Sequence, residues 1–318
     1  MLKFAVIGCG NIAVKSSFPA LLNSKHCELI VCIDTNIEKG RIIKEKFDLP
    51  FENSLQSAFD KYNFDAVYVS TPIGSHKEIV ILSAKHKKHI LCEKSLAINL
   101  TEVEEMAYAC KTNNVALLEG FMYQFHTQHQ YIRNIIDSGE IGQPVHFQAW
   151  FGFPPINEKD FRYNKILGGG ALLDAGSYTV HAARHFFGIE PIKCYSVLEN
   201  EGHEVEIRGS VLLDFGKSKT AHLVFGFNNM YQNKYSIWGT KGVICLERAF
   251  ALPPNYKSIC TLEKQGFKKE YILEPCDHFN EELNYFVKNI KKEDAIINWR
   301  NEALSQMRLL DQLKYKSV

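Results

Sequence analysis

Short apolar runs separated by longer amphipathic stretches fill the first 120 residues of the chain. Each run is short and nearly continuous, which is typical of strands buried on both faces of a sheet. The runs occupy residues 4–7, 29–33, 65–70, 89–94 and 115–119. The stretches between them carry helical patterns, as at residues 76–88 and 101–113. This alternation predicts an α/β domain with a parallel, doubly wound sheet.

The pattern changes after Gly120, where strand-like runs follow one another with few helices between them. Strands are predicted at residues 145–151, 191–198, 204–213, 220–228, 235–238, 243–246 and 257–263. Helices are predicted at residues 129–138, from the three glycines at 168–170 to about residue 187, at 277–291 and at 298–314. These elements predict an α+β domain on an open, mostly antiparallel sheet. We therefore expect two domains, 1–120 and 121–318, with the last helix able to pack back on the first.

The first apolar run ends in a glycine-rich turn of the pattern Gly-x-Gly-x-x-Ala, which opens a helix. Gly8 permits a tight turn, Gly10 lets the backbone approach a phosphate, and Ala13 is small enough for close packing of helix on strand. Asn11 and Ile12 lie at the helix N-terminus, where free N–H groups bind anions. Such turns also occur for structural reasons alone. After a buried strand, however, the pattern predicts a Rossmann domain that binds a dinucleotide.

The second apolar run ends in Asp34. An acidic residue at this place binds the ribose 2′-hydroxyl of a dinucleotide. Its carboxylate would repel a 2′-phosphate, and no arginine follows in residues 35–37. NAD is therefore the expected cofactor, with NADP as the alternative. A Rossmann-like domain without any cofactor is the structural alternative.

Composition narrows the classes of partner. The chain of 318 residues has a net charge of +1, and no stripe of basic and aromatic residues stands out, so nucleic acid is not expected as a partner. The sequence has no leading apolar segment and no apolar run of about 18 residues, which argues against secretion and a membrane span. The nine cysteines are scattered, without a Cys-x-x-Cys pair. We therefore expect a reduced, cytoplasmic protein.

Polar residues follow two of the apolar runs at the predicted carboxyl ends of the strands, where ligands of such sheets bind. Thr71 and Pro72 follow the third run, and Glu93 and Lys94 end the fourth. A partly desolvated ammonium at Lys94 could donate a hydrogen bond to a substrate oxygen or to a neighbouring hydroxyl. The structural alternative is that Lys94 pairs with Glu93 at the rim of the sheet.

The helix after the three glycines carries a stripe of proton-carrying residues. Asp174, Tyr178 and His181 stand at i, i+4 and i+7, which predicts that they share one helix face. A carboxylate, a phenol and an imidazole in line suit proton transfer, with Asp174 orienting and Tyr178 donating or accepting. The structural alternative is an aspartate favoured by the helix dipole, with a tyrosine and a histidine packed at an interface.

Two pairs of histidines invite a test for metal binding. His181 and His185 stand at i and i+4 on a predicted helix, and His126 and His129 lie close in sequence. No third histidine, cysteine or acidic ligand follows in a recognisable pattern. We therefore predict no metal and interpret these histidines as packing residues or polar residues near a substrate.

Four of these motifs together resemble the Gfo/Idh/MocA oxidoreductases, the family of glucose–fructose oxidoreductase and inositol dehydrogenase. They are the glycine turn and residues 70–76, 91–94 and 168–178, so the resemblance covers essentially the whole chain in order. It implies that Lys94 is catalytic, that Tyr178 is the proton carrier and that Asp174 orients the substrate or the tyrosine. Ser95 stands where the family usually has a proline, a residue that can fix an unusual peptide geometry beside the lysine.

The resemblance also implies further contacts. The residues expected at the cofactor, besides the glycine turn and Asp34, are Thr71, Pro72, His76, Glu93 and Lys94. Arg162 is expected near the cofactor or a substrate phosphate, with a surface salt bridge as the alternative. Tyr123 and His181 are expected at the substrate, beside Lys94, Asp174 and Tyr178.

A finer resemblance lies in the second half of the chain. Residues 121–126, 160–164, 168–188 and 235–250 resemble nucleotide-sugar 3-ketoreductases, and the same subgroup resembles trans-dihydrodiol and xylose dehydrogenases. This implies hydride transfer between nicotinamide and a hydroxyl or keto carbon of a sugar or nucleotide sugar. The alternatives are an NAD-dependent glycosidase of the same family, which uses transient oxidation, and a non-catalytic Rossmann redox sensor. The open sheet implies a homodimer or homotetramer.

Overall fold

The computed structural model describes residues 1–315, and the chain forms two compact units. The first, called the N-terminal unit, comprises residues 1–122 and 279–307. The second, called the sheet unit, comprises residues 123–278 and the chain from residue 308 on. Each unit therefore contains a segment from the C-terminal part of the chain.

The N-terminal unit is built on a parallel sheet. Its strands are β1 Leu2–Ile7, β2 Cys27–Ile33, β3 Phe51–Glu52, β4 Ala66–Val69, β5 His89–Glu93 and β6 Leu117–Gly120. They lie side by side in the order β3-β2-β1-β4-β5-β6, and each pairing is parallel. The central strand β4 is buried along its whole length, as expected for a sheet covered on both faces. The predicted doubly wound sheet is confirmed.

Five helices connect these strands. They are α1 Phe18–Asn23, α2 Ile37–Phe47, α3 Leu55–Lys61, α4 His76–Lys85 and α5 Leu100–Thr112, and a π-helical segment, Ala13–Ser17, precedes α1. Asn36, Ser54 and Asn99 cap α2, α3 and α5, because their side-chain oxygens accept hydrogen bonds from N–H groups in the first turn. Three of the five helices thus begin at a short polar residue that caps the N-terminus.

The sheet unit contains eight strands. They are β7 Pro144–Gly152, β8 Lys193–Glu199, β9 Arg208–Asp214, β10 Thr220–Gly226, β11 Gln232–Gly239, β12 Gly242–Glu247, β13 Ile259–Lys264 and β14 Phe267–Ile272. Their order is β14-β13-β12-β11-β7-β10-β9-β8, and only the pair β10 and β7 is parallel. The predicted open, mostly antiparallel sheet is confirmed. Strand β14 was not predicted, because its side chains are almost all exposed and charged residues break the alternation.

Two helices of the sheet unit are α6 Thr127–Asp137 and α7 Ser177–Phe187. The chain ends with α8 His278–Asn289 and α9 Glu293–Tyr315. Helix α9 begins before the predicted residue 298, because two acidic residues in its first turn suit the helix dipole. In the N-terminal unit, Phe286 of α8 packs on Phe4 of β1, with ring centroids 6.0 Å apart.

Candidate active site

The glycine turn after β1 leaves one backbone face open. Gly8 has a φ of +95°, and a Cβ there would lie 2.7 Å from the carbonyl group of Ser70, so only glycine fits this close approach. A Cβ at Gly10 would meet no atom within 4 Å, so the backbone there is accessible to a phosphate. Ala13 is fully buried, as close helix packing requires. Because N–H groups at a helix start have no carbonyl partner within the helix, those at Asn11 and Ile12 suit an anion.

Asp34, directly after β2, is held by three donors. Its Oδ2 accepts hydrogen bonds from the Cys9 N–H at 2.8 Å and from the Lys39 ammonium at 2.9 Å, and its Oδ1 accepts from the Asn36 N–H at 2.9 Å. Burial alone would raise the pKa of Asp34, but these hydrogen bonds and the ammonium hold the pKa below its usual value. Lys39, two positions beyond residues 35–37, places a positive charge beside Asp34. The expected repulsion of a 2′-phosphate is therefore weaker than Asp34 alone would give.

His76 does not lie where a ligand could touch it. Its side chain is fully buried, with Nε2 2.9 Å from the Thr71 carbonyl oxygen and Nδ1 3.2 Å from the carbonyl oxygens of Ser95 and Leu96. Burial lowers the pKa of this imidazole. The ring thus links the turn after β4 to the segment after Lys94. The predicted cofactor contact of His76 is corrected to a positioning role, whereas Thr71 and Pro72 stay partly exposed at the sheet edge.

Glu93 and Lys94 lie at the carboxyl edge of the parallel sheet, and both are half-buried. The Tyr68 hydroxyl donates a hydrogen bond of 2.6 Å to Glu93, which fixes that carboxylate beneath the edge. The peptide bond between Lys94 and Ser95 is cis, although residue 95 is a serine. The buried carboxylate of Glu119 accepts a hydrogen bond from the Leu96 N–H at 2.9 Å and so supports the segment after Lys94. The side chain of Lys94 thus stands at a tightly anchored turn.

In the sheet unit, the turn before α7 is a π-helical segment, Leu172–Gly176. Within it, Asp174 accepts a hydrogen bond of 2.8 Å from Nε of Arg162, and Arg162 also contacts Asp160 at 3.1 Å. Asp174 thus lies in a π-helical turn rather than in the α-helix predicted for it, and it forms an ion pair with Arg162. Arg162 therefore orients Asp174 through a half-buried form of the salt bridge given as its alternative.

Two of the three glycines permit close approaches, Gly169 that of Arg162 and Gly170 that of Glu206. A Cβ at Gly169 would lie 2.4 Å from the Arg162 carbonyl oxygen, so a larger residue would push the Arg162 loop away. Glu206 completes the turn, because its Oε1 accepts from the Leu172 N–H at 3.1 Å and its carbonyl from the Ala171 N–H at 2.8 Å. Burial raises the pKa of Glu206. Glu206 is a positioning residue that the sequence pattern did not reveal.

Tyr178, in the first turn of α7, sits in an aromatic enclosure and is only 5% exposed. The ring of Phe151 meets it edge-on at 5.2 Å, and the rings of Phe250 and Tyr123 lie at 5.8 and 5.9 Å. Edge-to-face contacts of this kind hold an aromatic ring in one orientation. The Tyr178 ring is thus fixed in place by residues from three separate segments.

Tyr123 and His181 form a buried pair beneath Tyr178. The Tyr123 hydroxyl lies 2.6 Å from Nδ1 of His181, and the two side chains are 0% and 3% exposed. Burial lowers the pKa of His181 well below its usual value, so the ring stays neutral. Both side chains are buried, as Tyr178 itself is, and their contact with a substrate stays a prediction.

Metal centres and membrane spans are two further classes of site to consider. Within residues 1–315, no group of three or more histidine, cysteine, aspartate or glutamate side chains could hold a metal ion. Over the same residues, no helix has the length and apolar character that crossing a membrane requires.

Known families and proteins match this architecture. Residues 2–121 match the oxidoreductase family with an NAD-binding Rossmann fold, and residues 129–245 match the Gfo/Idh/MocA C-terminal domain. A dTDP-3,4-didehydro-2,6-dideoxy-α-D-glucose 3-reductase of Saccharopolyspora spinosa is 31% identical over 91% of this chain and 88% of its own. A D-xylose 1-dehydrogenase (NADP⁺) of Haloferax volcanii is 27% identical over 100% of this chain and 97% of its own.

Solved structures agree with these matches. A 3-ketoreductase from Actinomadura kijaniata, in complex with NADP and TDP-benzene, superposes with a TM-score of 0.95 at 28% identity, over 99% of this chain and 98% of that one. An aldose–aldose oxidoreductase from Caulobacter crescentus, at 24% identity and a TM-score of 0.90, shares the fold over 99% of this chain and 97% of its own. The paired domains and the full-length similarity place this chain in the Gfo/Idh/MocA family of NAD(P)-dependent oxidoreductases.

Proposed function

We propose that this protein transfers hydride between a nicotinamide cofactor and a keto or hydroxyl carbon of a nucleotide sugar. Two observations, each within its own unit, carry the proposal: Lys94 lies at the carboxyl edge of the Rossmann sheet, and Tyr178 lies in its aromatic enclosure. The relatives support the substrate class, since the S. spinosa protein is named as a reductase of a dTDP-linked keto sugar. The NADP found with the A. kijaniata enzyme and the positive charge of Lys39 support NADP as well as NAD.

The residues have separate roles in the proposed reduction. When bound, the nicotinamide supplies the hydride. Tyr178 donates its phenolic proton to the sugar oxygen as the carbonyl becomes a hydroxyl, and water returns the proton. The ammonium of Lys94 stabilises negative charge on that oxygen or on the phenolate, since a phenol with a usual pKa of about 10 needs a nearby cation to act near neutral pH. Asp174, held by Arg162, orients the substrate.

Variants of the A. kijaniata enzyme support these two roles. Solved variants of that protein replace one tyrosine and one lysine. The two residues lie as far apart in that chain as Tyr178 and Lys94 lie in this one. The same spacing in a relative that aligns over nearly the full length supports the pairing of these side chains in one reaction.

The proposed function predicts turnover with a nucleotide-bound substrate. We expect the purified protein to bind NADH or NADPH, measured by fluorescence titration, and to oxidise it in the presence of a dTDP-linked 3-keto sugar. Loss of nicotinamide absorbance and the mass of the sugar product measure the reaction. Retained NAD with glycoside cleavage and no net oxidation would point instead to the glycosidase. Failure to bind either cofactor would refute the enzymatic proposal in favour of the redox sensor.

We also propose that the outer face of the sheet unit pairs two copies of this chain. Helix α7 covers one face of the sheet, while Tyr195 and Trp238 on the other face are 54% and 59% exposed. Beside Trp238, the cross-strand row from Ser236 through Gln148, His222 and Leu212 to Tyr195 contains no aspartate, glutamate, lysine or arginine. An isologous interface sets like groups against like, so an uncharged middle favours self-pairing.

A charge on this face is expected to separate the copies. We predict that the wild-type protein is a homodimer or homotetramer and that Trp238→Glu lowers the assembly by at least one step, because each copy would bury a carboxylate against the other. Size-exclusion chromatography with light scattering measures the mass. Tyr108→Glu, at a 72% exposed site on α5, is the matched control and should leave the mass unchanged. A monomeric wild type would contradict the pairing.

A further inference from the structure

An arginine lies between two tyrosine rings on the sheet unit. The guanidinium carbon of Arg248, just after β12, is 4.6 Å from the ring centroid of Tyr231 and 5.3 Å from that of Tyr256. We call these three residues the Arg248 stack. All three side chains are partly exposed, so the stack is open to a ligand. A guanidinium held flat by aromatic faces keeps its N–H groups in a fixed plane.

The stack presents donors rather than acceptors. The Tyr231 hydroxyl accepts hydrogen bonds from Arg248 at 2.8 Å and from the Asn233 amide at 3.0 Å. Because these bonds use the oxygen lone pairs, the hydroxyl proton is left to donate outward. The guanidinium of Arg248 uses one of its several donors in this contact. The free polar groups at this place are therefore those that bind an anion.

No carboxylate neutralises Arg248 among the described residues. Arg162 pairs with Asp174, Arg184 with Glu190 and Arg208 with Glu201. Among residues 1–315, the Arg248 side chain contacts the two rings and the Tyr231 hydroxyl, and its carbonyl oxygen accepts from the Gln128 amide at 3.4 Å. A half-buried arginine without an acidic partner keeps its positive charge available for a ligand.

The backbone beneath the stack is held in an uncommon conformation. Arg248 has a φ of +55°, in the left-handed region that residues other than glycine rarely adopt. The side chain of Asn233 holds this turn, because its Oδ1 accepts from the Phe250 N–H at 2.7 Å and its amide donates to the Ala251 carbonyl at 2.7 Å. Such conformations persist where the surroundings enforce them, and they concentrate at functional sites.

The Arg248 stack adjoins the enclosure of Tyr178 within the sheet unit. Phe250, two residues after Arg248, lies against the Tyr178 ring at 5.8 Å. The loop between β10 and β11 leads from Asn228, which accepts a hydrogen bond of 3.0 Å from Tyr163, to Tyr231 in the stack. One short loop therefore connects the segment that carries Arg162 to the stack.

We infer that the Arg248 stack binds the diphosphate of the nucleotide sugar. The inference rests on the proposed function and deepens it by assigning a site for the nucleotide part of the substrate. A guanidinium binds phosphate oxygens through two parallel N–H bonds, and the Tyr231 hydroxyl adds a third donor. The sugar at the other end of the diphosphate then extends toward Tyr178. Substrates without the diphosphate would lose this anchor.

Binding of thymidine diphosphate to cofactor-loaded protein tests this site by titration calorimetry. We expect Arg248→Met to weaken thymidine diphosphate binding about 10- to 100-fold, since charge-assisted hydrogen bonds to a phosphate are lost. Tyr231→Phe, which removes only a hydroxyl, should weaken binding about 3- to 10-fold. Arg208→Met removes an arginine elsewhere in the sheet unit, so this control should bind as the wild type does. Thymidine alone should be insensitive to all three substitutions.

The outcomes separate this site from the proposed reaction. Equal thymidine diphosphate affinity in wild type, Arg248→Met and Tyr231→Phe would overturn the assignment, as would a wild type that does not bind this ligand. A loss confined to NADPH affinity would also overturn it. If the diphosphate site is refuted in this way but the protein still reduces a phosphate-free keto sugar, the proposed hydride transfer remains supported. Conversely, the expected losses in a protein that transfers no hydride would support the site and refute the proposed function.

Discussion

Tyr178→Phe is expected to lower kcat for sugar reduction by about 10²–10⁴-fold, the range that a positioned general acid contributes. The phenylalanine ring keeps the contacts with Phe151, Phe250 and Tyr123, so the enclosure and the fold should be retained. Only the proton that the sugar oxygen needs is lost. Steady-state kinetics give kcat and KM, and fluorescence titration of NADPH tests whether cofactor binding is unchanged.

A second substitution at this position separates proton transfer from packing. Tyr178→His keeps a proton carrier, and we expect it to recover part of the activity lost in Tyr178→Phe. An unperturbed imidazole has a pKa of about 6.5 and a phenol one of about 10. As the pH rises, the histidine variant should therefore lose its donor proton, and its kcat should fall at a lower pH than that of the wild type. A Tyr178→Phe enzyme with near wild-type kcat would refute the role of Tyr178.

The N-terminal sheet and the cofactor edge were predictable because local sequence determines them. The turn at Gly8 needs a backbone conformation that glycine supplies, and the apolar runs of the parallel strands are buried on both faces. These features depend on residues within one strand and its next turn. The prediction of a parallel α/β domain followed by an open antiparallel sheet therefore held.

The partners of the candidate site residues could not be predicted, because they depend on contacts between distant segments. The hydroxyl of Tyr123 reaches His181 across 58 positions of sequence, and the ring of His76 reaches the Leu96 carbonyl across 20. Both partners come from segments far apart in sequence, so no local pattern could reveal them. The ion pair of Arg162 with Asp174 was hidden in the same way, because it joins a loop residue to the start of a helix 12 positions later.

Lys39 illustrates a signal that the sequence did contain. It follows Asp34 by five positions and lies in the first half of α2, close enough in sequence for an ion pair across the strand end and the helix start. The ammonium partly offsets the carboxylate that was taken to exclude a 2′-phosphate. The choice between NAD and NADP thus depends on a pair of opposite charges rather than on the acidic residue alone.

Lys94→Met is the second substitution with a large expected effect, a fall in kcat of about 10²–10³-fold, as for loss of one donor that stabilises developing negative charge. Methionine keeps the length and most of the volume of the side chain but has no charge. The segment around it is held by His76 and Glu119, so we expect the fold to persist. Steady-state kinetics and NADPH titration measure the effect, and a change confined to NADPH affinity would contradict the catalytic role.

The control for this substitution is Lys77→Met on α4, where the lysine forms ion pairs with Glu102 and Glu105 at 3.8 and 3.5 Å near the surface. Exposed pairs of this kind contribute little to stability, so the control should keep both kcat and the melting temperature. The double variant Lys94→Met, Tyr178→Phe gives the sharper test. If the ammonium acts through the phenol or on the same oxygen, the double variant should be little slower than the worse single one, because the two groups act as a unit. If the fold losses in kcat of the two single variants multiply in the double variant, Lys94 and Tyr178 instead serve separate steps.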